Sequence, residues 1–421
     1  MGDYMELDRN KLNSYFEEIK ICWSDAKATF PDFLREVSYT QKLHNEQYLQ
    51  SVAKQFKEQL NKFSRPSIRK REEKKKLFLL VNKIMAEETV IGIHQYMDSQ
   101  TLEAYQEELI EFLRHERTFS PELPFESIGQ GIRNYIVYIM FNELNKKRPG
   151  FNTACFGYSM LYPFTDNYID NKAYSSQDKH SYNRLIRDKL EGKKVTPSSS
   201  YEGKTCELLD MIEASYPRHQ DNTIYTLLLL MLEAQEGSLK QHRRPSKVQT
   251  HNLTLDEILD ISVKKGGLSV LIDRFFVQKE MTEHDLTFYL SFGLFLQLAD
   301  DLQDIGQDYE EGSQTLFTAN LGHEAEEQLV NKLLHFLYGI MDQYTSENEG
   351  FKQFLISNCY QLIYSSIAGS KEFFSQEYLD HLEQYLPVTF PYLEKMYLNR
   401  LDNIDMQNQE RYIKILDELI F

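Results

Sequence analysis

GLFLQLADDLQDIGQDYEEG, residues 293–312, decides the reading of this chain. Its first half is apolar and its second half acidic, with no proline until well beyond it. On a helix, residues four apart share a face, so Asp300, Asp304 and Asp308 stack along one stripe. Asp301, Asp304 and Asp308 make an equally good stripe at spacings of three and four, and Gln297 lies one turn earlier. Stacked carboxylates repel one another by a few tenths of a kcal/mol per exposed pair, and by more when buried. Hard divalent cations offset such repulsion, and Mg²⁺ commonly links carboxylates to substrate phosphates. The bland alternative is an acidic, solvated helix end. A chance DDxxD is expected only on the order of 0.1 times in a chain of this composition.

Working outward, the whole chain reads as helical. It has 421 residues, 41% apolar and 26% charged, which suits a globular protein. Only 18 Gly and 11 Pro leave little of the turn chemistry that all-β folds require. Apolar residues recur at three- and four-residue spacing over 7–21, 40–63 and 77–96. A helix from about Ser127 stops at Arg148-Pro-Gly150, and the next runs from about Asn152 to Asn171 with a kink expected at Pro163. Further helices are expected over 178–190, 204–214, 221–241, 254–279 and 282–308, with four more after Asn320. Two of them open on capping-box patterns, at Thr254–Glu257 and at Thr282–Asp285. The expected organisation is an N-terminal helical region, residues 1–120, and a large helical domain, residues 121–421.

A second acidic element, Asp166-Asn-Tyr-Ile-Asp170, ends an aromatic helical segment. Alone it is a weak signal, since roughly one DxxxD arises by chance here. Paired with the first it makes two walls of one metal site inside a helical bundle, a frequent place for such sites.

At these residues the sequence resembles the class I isoprenoid synthases. Gly293-Leu-Phe-Leu-Gln297-Leu-Ala-Asp300-Asp301-Leu-Gln-Asp304 is similar to the second Asp-rich motif of prenyl diphosphate synthases, FQxxDDxxD. Gln297, Asp304, Asp308 and Gly312 also fit the QLxNxxRDxxEDxxxG helix of squalene/phytoene synthases, and Asp166–Asp170 resembles their DxxxD. Asp300 stands where those enzymes carry Asn, and Gln303 where they carry Arg. The likeness spans about residues 150–315.

The resemblance implies an all-α class I isoprenoid synthase bundle with extra N-terminal helices. It implies a terpene synthase in which two or three Mg²⁺, bound by Asp166, Asp170, Asp300, Asp301, Asp304 and Asp308, grip a prenyl diphosphate. Asp166, Asp170 and Asp304 would serve its ionisation directly. Lys264, Lys265, Arg184 and Arg243 are the expected cations of the diphosphate clamp, with Gln297 beside them. Phe164, Tyr168, Phe292 and Phe295 are the expected rings facing a carbocation, although an aromatic stripe at helical spacing is more often core. A prenyltransferase and a non-catalytic helical scaffold are the alternatives.

Composition excludes other classes. A net charge of −17 argues against nucleic-acid binding. No HExxH, GxSxG, Walker or GxGxxG pattern occurs. Cys22, Cys155, Cys206 and Cys359 form no metal-ligand spacing and read as buried free thiols. Without an apolar leader or a run of about 18 apolar residues, a cytoplasmic protein is expected. Peripheral membrane contact for a lipophilic product, and a homodimer, stay open.

Overall fold

A computed structural model of the chain describes residues 9–64, 69–88, 90, 92–171, 173–220, 222–241, 252–402 and 406–421. Among the described residues every regular element is a helix, and no strand occurs. The N-terminal part holds α1 (Arg9–Asp25), α2 (Tyr39–Phe63), α3 (Lys70–Glu87) and α4 (Ser99–Phe119). Then come α5 (Phe125–Leu144), α6 (Thr153–Asp170), α7 (Ser176–Leu190), α8 (Ser200–Ser215) and α9 (Thr223–Ser238). The acidic stretch lies on α11 (Glu283–Gln303) and α12 (Ile305–Glu311), which follow α10 (Leu255–Val277). The chain ends with α13 (His323–Gln343), α14 (Glu349–Gly369), α15 (Gln376–Glu383), α16 (Phe390–Asp402) and α17 (Met406–Ile420).

The antiparallel-in-sequence neighbours α10 and α11 share the most extensive packing and form the centre. Both begin with the capping boxes their sequences announce: Thr254 and Glu257 exchange bonds, as do Thr282 and Asp285. Phe288, Tyr289, Phe292 and Phe295 of α11 are all buried. A helix apolar on every side belongs inside a bundle, and each such side chain contributes roughly 1.5–3 kcal/mol. Around this pair stand α5, α9, α13 and α14, with α6 held between α5 and α8.

The first helices are tied to the rest of the chain. On α1, Leu12, Phe16, Ile19 and Trp23 are buried, and the Trp23 ring meets Phe336 of α13 edge-on at 5.6 Å. On α2, Lys42 donates to the Leu386 carbonyl at 2.8 Å and Asn45 to that of Pro387 at 2.7 Å. α17 lies along α4, where Arg117 pairs with Asp417 at 2.8 Å.

Three local differences from the sequence reading have physical causes. The helix expected over 77–96 stops at Glu87, and Gly92 turns the backbone left-handed at φ 72° before a single 3₁₀ turn at Ile93–Gln95. The helix expected over 282–308 breaks at Asp304, whose φ and ψ are −103° and 15°. Ser370 donates to the Leu302 and Gln303 carbonyls at 2.9 and 3.0 Å there, so the end of α11 is satisfied from outside the helix. Among the cysteines, Cys155, Cys206 and Cys359 are buried free thiols, whereas Cys22 is exposed. Pro163 sits inside α6, and Tyr201 donates to the neighbouring Phe164 carbonyl at 2.6 Å. No described helix is long and apolar enough to cross a membrane.

Candidate functional site

A cleft of about 280 Å³ opens between α6, α9, α10, α11 and α14. Its polar side is made by Lys265 and Ser269 of α10 together with Gln297, Asp300 and Gln303 of α11. Its apolar side includes Met231, Val270, Leu296 and Leu362. Tyr162 of α6 reaches across, and its hydroxyl meets the Ser269 hydroxyl at 2.5 Å and that of Tyr158 at 3.0 Å. A smaller cavity of about 50 Å³ shares Tyr162 and Met231 with the cleft and runs to Thr165 and Gln235. Those two residues are the partners of Asp166: Gln235 donates to its carboxylate, and Thr165 does so at 3.3 Å. The cleft lined by Asp300 and the cavity lined by Thr165 and Gln235 therefore share Tyr162 and Met231.

The carboxyls of α11 and α12 differ in surroundings. Asp300 keeps a solvent-facing side although protein atoms crowd it; burial and then the Asp304 charge raise its pKa, while Lys265 and Arg133 lower it. Asp301 is 6% exposed and turns inward. Gln297 donates to its Oδ1 at 2.8 Å, its Oδ2 has no partner, and burial pushes it up to about 8. Asp304 is raised by burial, against a bond from Gln303 and the charge of Arg133. Asp308 goes up to about 6, first by burial and then by Asp304 and Asp300. The break at Asp304 preserves the backbone relay, because Asp304 N–H donates to the Asp300 carbonyl at 3.0 Å and Asp308 N–H to that of Asp304 at 2.8 Å.

No family model, curated protein or solved structure matches the chain.

The predicted site residues thus fall into three groups. Asp300, Gln297 and Lys265 line the cleft, and Asp166 is bonded by Thr165 and Gln235, which line the adjoining cavity. Asp170 ends α6, and its side chain lies outside the described residues, as does Arg243. The remaining cations and rings are engaged elsewhere. Lys264 is paired with Asp260 at 2.6 Å, and the exposed Arg184 with Asp188 at 3.9 Å. The Phe164 ring packs on Tyr201 and Phe119, and Tyr168 stacks between Tyr174 and Tyr182 at 4.0 and 4.2 Å. Phe292 lies between Phe141, Phe288 and Phe295 in the core of the bundle. None of these four rings lines the cleft; Tyr162 is the aromatic side chain that does.

Among the described residues no three His, Cys, Asp or Glu side chains gather closely enough to hold a metal by themselves. Mg²⁺ seldom needs such a cage, because it takes one or two carboxylates and completes its shell with water and substrate phosphates. After burial, Asp304 raises the pKa of Asp300, and Asp304 and Asp300 raise that of Asp308, which marks negative charge that a cation would offset. The donor set fits a metal that arrives with an anionic ligand.

Several residues around the cleft carry no distinctive sequence signal. Gln235 and Ser269 carry ordinary helix spacing. Asn134 donates to Ser159 and to the buried Asp273 at 3.0 Å each, and Asp273 Oδ2 has no partner. Gln130 and Asn134 are four residues apart on α5, a helix spacing that places them on one face.

Proposed function

We propose that this chain is a class I isoprenoid synthase-like enzyme that ionises a prenyl diphosphate with Mg²⁺, releasing diphosphate and a terpene. One observation carries the reading: Asp300 on α11 lines the cleft, and Thr165 and Gln235, which bond Asp166 on α6, line a second cavity that shares Tyr162 and Met231 with it. Mg²⁺ held by Asp300, Asp304 and Asp308, with Asp166 beyond, would neutralise the leaving diphosphate when bound. Lys265 adds a fixed positive charge where that leaving group gains negative charge. Gln297 holds Asp301 in its inward orientation and so keeps it apart from the cleft carboxyls. Met231, Val270, Leu296 and Leu362 exclude water from the prenyl chain, and the Tyr162 ring offers a π face to positive charge.

The test is incubation of the purified chain with Mg²⁺ and geranyl, farnesyl or geranylgeranyl diphosphate, measuring diphosphate release and extracting hydrocarbons. Release that requires Mg²⁺ and disappears in the Asp304→Ala, Asp308→Ala double variant supports the reading. Consumption of isopentenyl diphosphate would make the enzyme a prenyltransferase instead. A second reading, a helical scaffold without catalysis, draws on the spread of the carboxyls, none of which form a group of three among the described residues. Absence of release from every substrate, with or without isopentenyl diphosphate, favours that scaffold.

A further inference from the structure

We infer that the chain carries a second ligand site, a tyrosine-lined cavity on the opposite face of α14 from the cleft, which takes an uncharged, planar aromatic compound bearing hydroxyl or carbonyl groups. This site stands independently of the prenyl diphosphate reading.

The cavity measures about 530 Å³, larger than the cleft, and shares no lining residue with it. Its floor is one face of α14, where Gln353, Ile356, Ser357, Tyr360, Gln361 and Tyr364 recur at three- and four-residue spacing. Leu362, which lines the cleft, falls about 180° round the helix from Gln353. The walls come from Tyr338 of α13, from Phe33 ahead of α2 and from Tyr385 after α15. Phe33 stacks on Tyr338 with ring centroids 4.3 Å apart and planes 17° apart. It lies 6.5 Å from Tyr360 at 27°, and Tyr360 lies 6.5 Å from Tyr364 at 21°. Each ring in this run is thus nearly parallel to the next.

The hydrogen-bonding groups of this cavity are unused. Among the described residues, the hydroxyls of Tyr338, Tyr360, Tyr364 and Tyr385 make no hydrogen bond, and neither do the side chains of Ser357 and Gln361. Tyr364 is the telling one, because it is only 4% exposed and still has no protein partner. A buried hydroxyl left so costs about 1–3 kcal/mol, which a ligand oxygen would offset. Burial raises the Tyr360 and Tyr364 hydroxyls above their usual pKa, so both are protonated donors at neutral pH. Charge narrows the class further. Lys352 is committed to Glu349 and to the Tyr344 carbonyl, both at 2.7 Å. Arg35 and Asp342 are exposed and of opposite sign, which leaves no net charge to select an ion. Near-parallel ring faces offer stacking area to a flat molecule, and the donors among them fix its orientation. A sugar would instead have to bury many hydroxyls against Leu34, Met341, Ile356 and Pro387.

The experiment is fluorescence titration of the full chain with 3-hydroxyflavone, a planar compound with one hydroxyl and one ring carbonyl. Maltose and inorganic pyrophosphate are added as competitors, and the variants are Ser357→Phe, Tyr364→Phe, Gln361→Leu and Tyr309→Phe. The wild type should bind the flavone saturably at one site that neither competitor disturbs. Ser357→Phe fills the cavity with a ring and should abolish binding. Tyr364→Phe and Gln361→Leu should each weaken it by roughly two- to tenfold. Tyr309→Phe, at an exposed position on α12, should match the wild type. Tyr364→Phe removes only an oxygen without a partner, so its melting should not fall and its weaker binding cannot be put down to misfolding. No saturable binding by the wild type, or binding that Ser357→Phe and Tyr364→Phe leave intact, overturns the site. Displacement of the flavone by maltose overturns the aromatic class, and displacement by pyrophosphate places the flavone in the cleft and overturns the second site. None of these outcomes touches the prenyl diphosphate reading.

Discussion

A Cβ on Gly266 would stand 2.3 Å from the carbonyl oxygen of Gly293, and one on Gly293 would stand 2.1 Å from that of Gly266. α10 and α11 therefore touch backbone to backbone at this crossing, which glycine alone permits. The contact fixes the register of the two helices. Lys265 beside it, and Gln297 and Asp300 one and two turns beyond Gly293, come to line one cleft. The glycines before the acidic run thus serve the site through packing rather than through loop flexibility.

Replacing either glycine by alanine must push the helices apart. Overpacking of this kind typically costs about 1–3 kcal/mol, and here the obstacle is backbone, which cannot swing aside. Gly266→Ala and Gly293→Ala should lower the urea midpoint and weaken Mg²⁺–pyrophosphate binding together. Gly203→Ala is the control: it lies inside α8 with nothing within 4 Å of its Cβ position. That change should stabilise by about 0.5–1 kcal/mol. Equal stability of Gly266→Ala and wild type would refute the tight crossing.

The acidic cluster predicts a pH dependence of known sign. Asp308 is raised to about 6 and Asp301 to about 8, above the usual carboxylate range near 4. Groups raised in the folded state contribute stability fully present below the unfolded pKa and lost as pH rises through the folded values. The unliganded protein should therefore lose stability from about pH 4 toward pH 8 and beyond. Asp301→Asn, which can still accept the Gln297 bond, should flatten the upper part of that slope. Cation binding needs ionised ligands, so half-saturating Mg²⁺ for pyrophosphate binding should fall as pH rises through 6. An affinity for Mg²⁺ that does not change between pH 5.5 and 7.5 would count against Asp308 as a ligand.

Neutralising the cleft carboxyl of Asp300 separates function from stability. Asp300→Asn removes one charge from a cluster in which Asp300 and Asp304 both raise the pKa of Asp308. It should leave the unliganded chain as stable as the wild type or more so, by up to about 1 kcal/mol. The same change should abolish most Mg²⁺-dependent diphosphate release. A variant that melts earlier and keeps its release would mean that Asp300 is structural.

The helical class was legible because its signals are local. Scarce Gly and Pro, three–four periodicity and two capping boxes act within a few residues, and both boxes form where the sequence places them. The break at Asp304 was not legible, because the group that caps α11 is Ser370, distant in sequence. Lys264 and Lys265 could not be told apart either. Neighbours on a helix point roughly 100° apart, and the Gly266–Gly293 crossing decides which of them meets the cleft. The rings of Phe292 and Phe295 were ambiguous for the opposite reason: α11 is buried on almost every side, so apolar spacing says nothing about which face borders a cavity.

The end of α4 offers a test that is independent of the cleft. Glu116 is fully buried, neither of its carboxyl oxygens has a partner, and α17 covers it through the Arg117–Asp417 pair. Burial raises it from 4.5 to about 8, with Arg117 opposing and Asp417 and Glu122 adding to the rise. Below the unfolded value it is neutral in both states and costs nothing electrostatically. As pH climbs through about 8 the folded state must bury a charge, and by linkage the loss reaches at most about 5 kcal/mol. Glu116→Gln keeps the shape and removes the titration. Urea unfolding should find variant and wild type similar at pH 5 and the variant clearly more stable at pH 9. Diphosphate chemistry should be unaffected, since Glu116 lies outside both cavities of the candidate site. Parallel stability profiles from pH 5 to pH 9 would show that Glu116 is either solvated or paired in the folded chain.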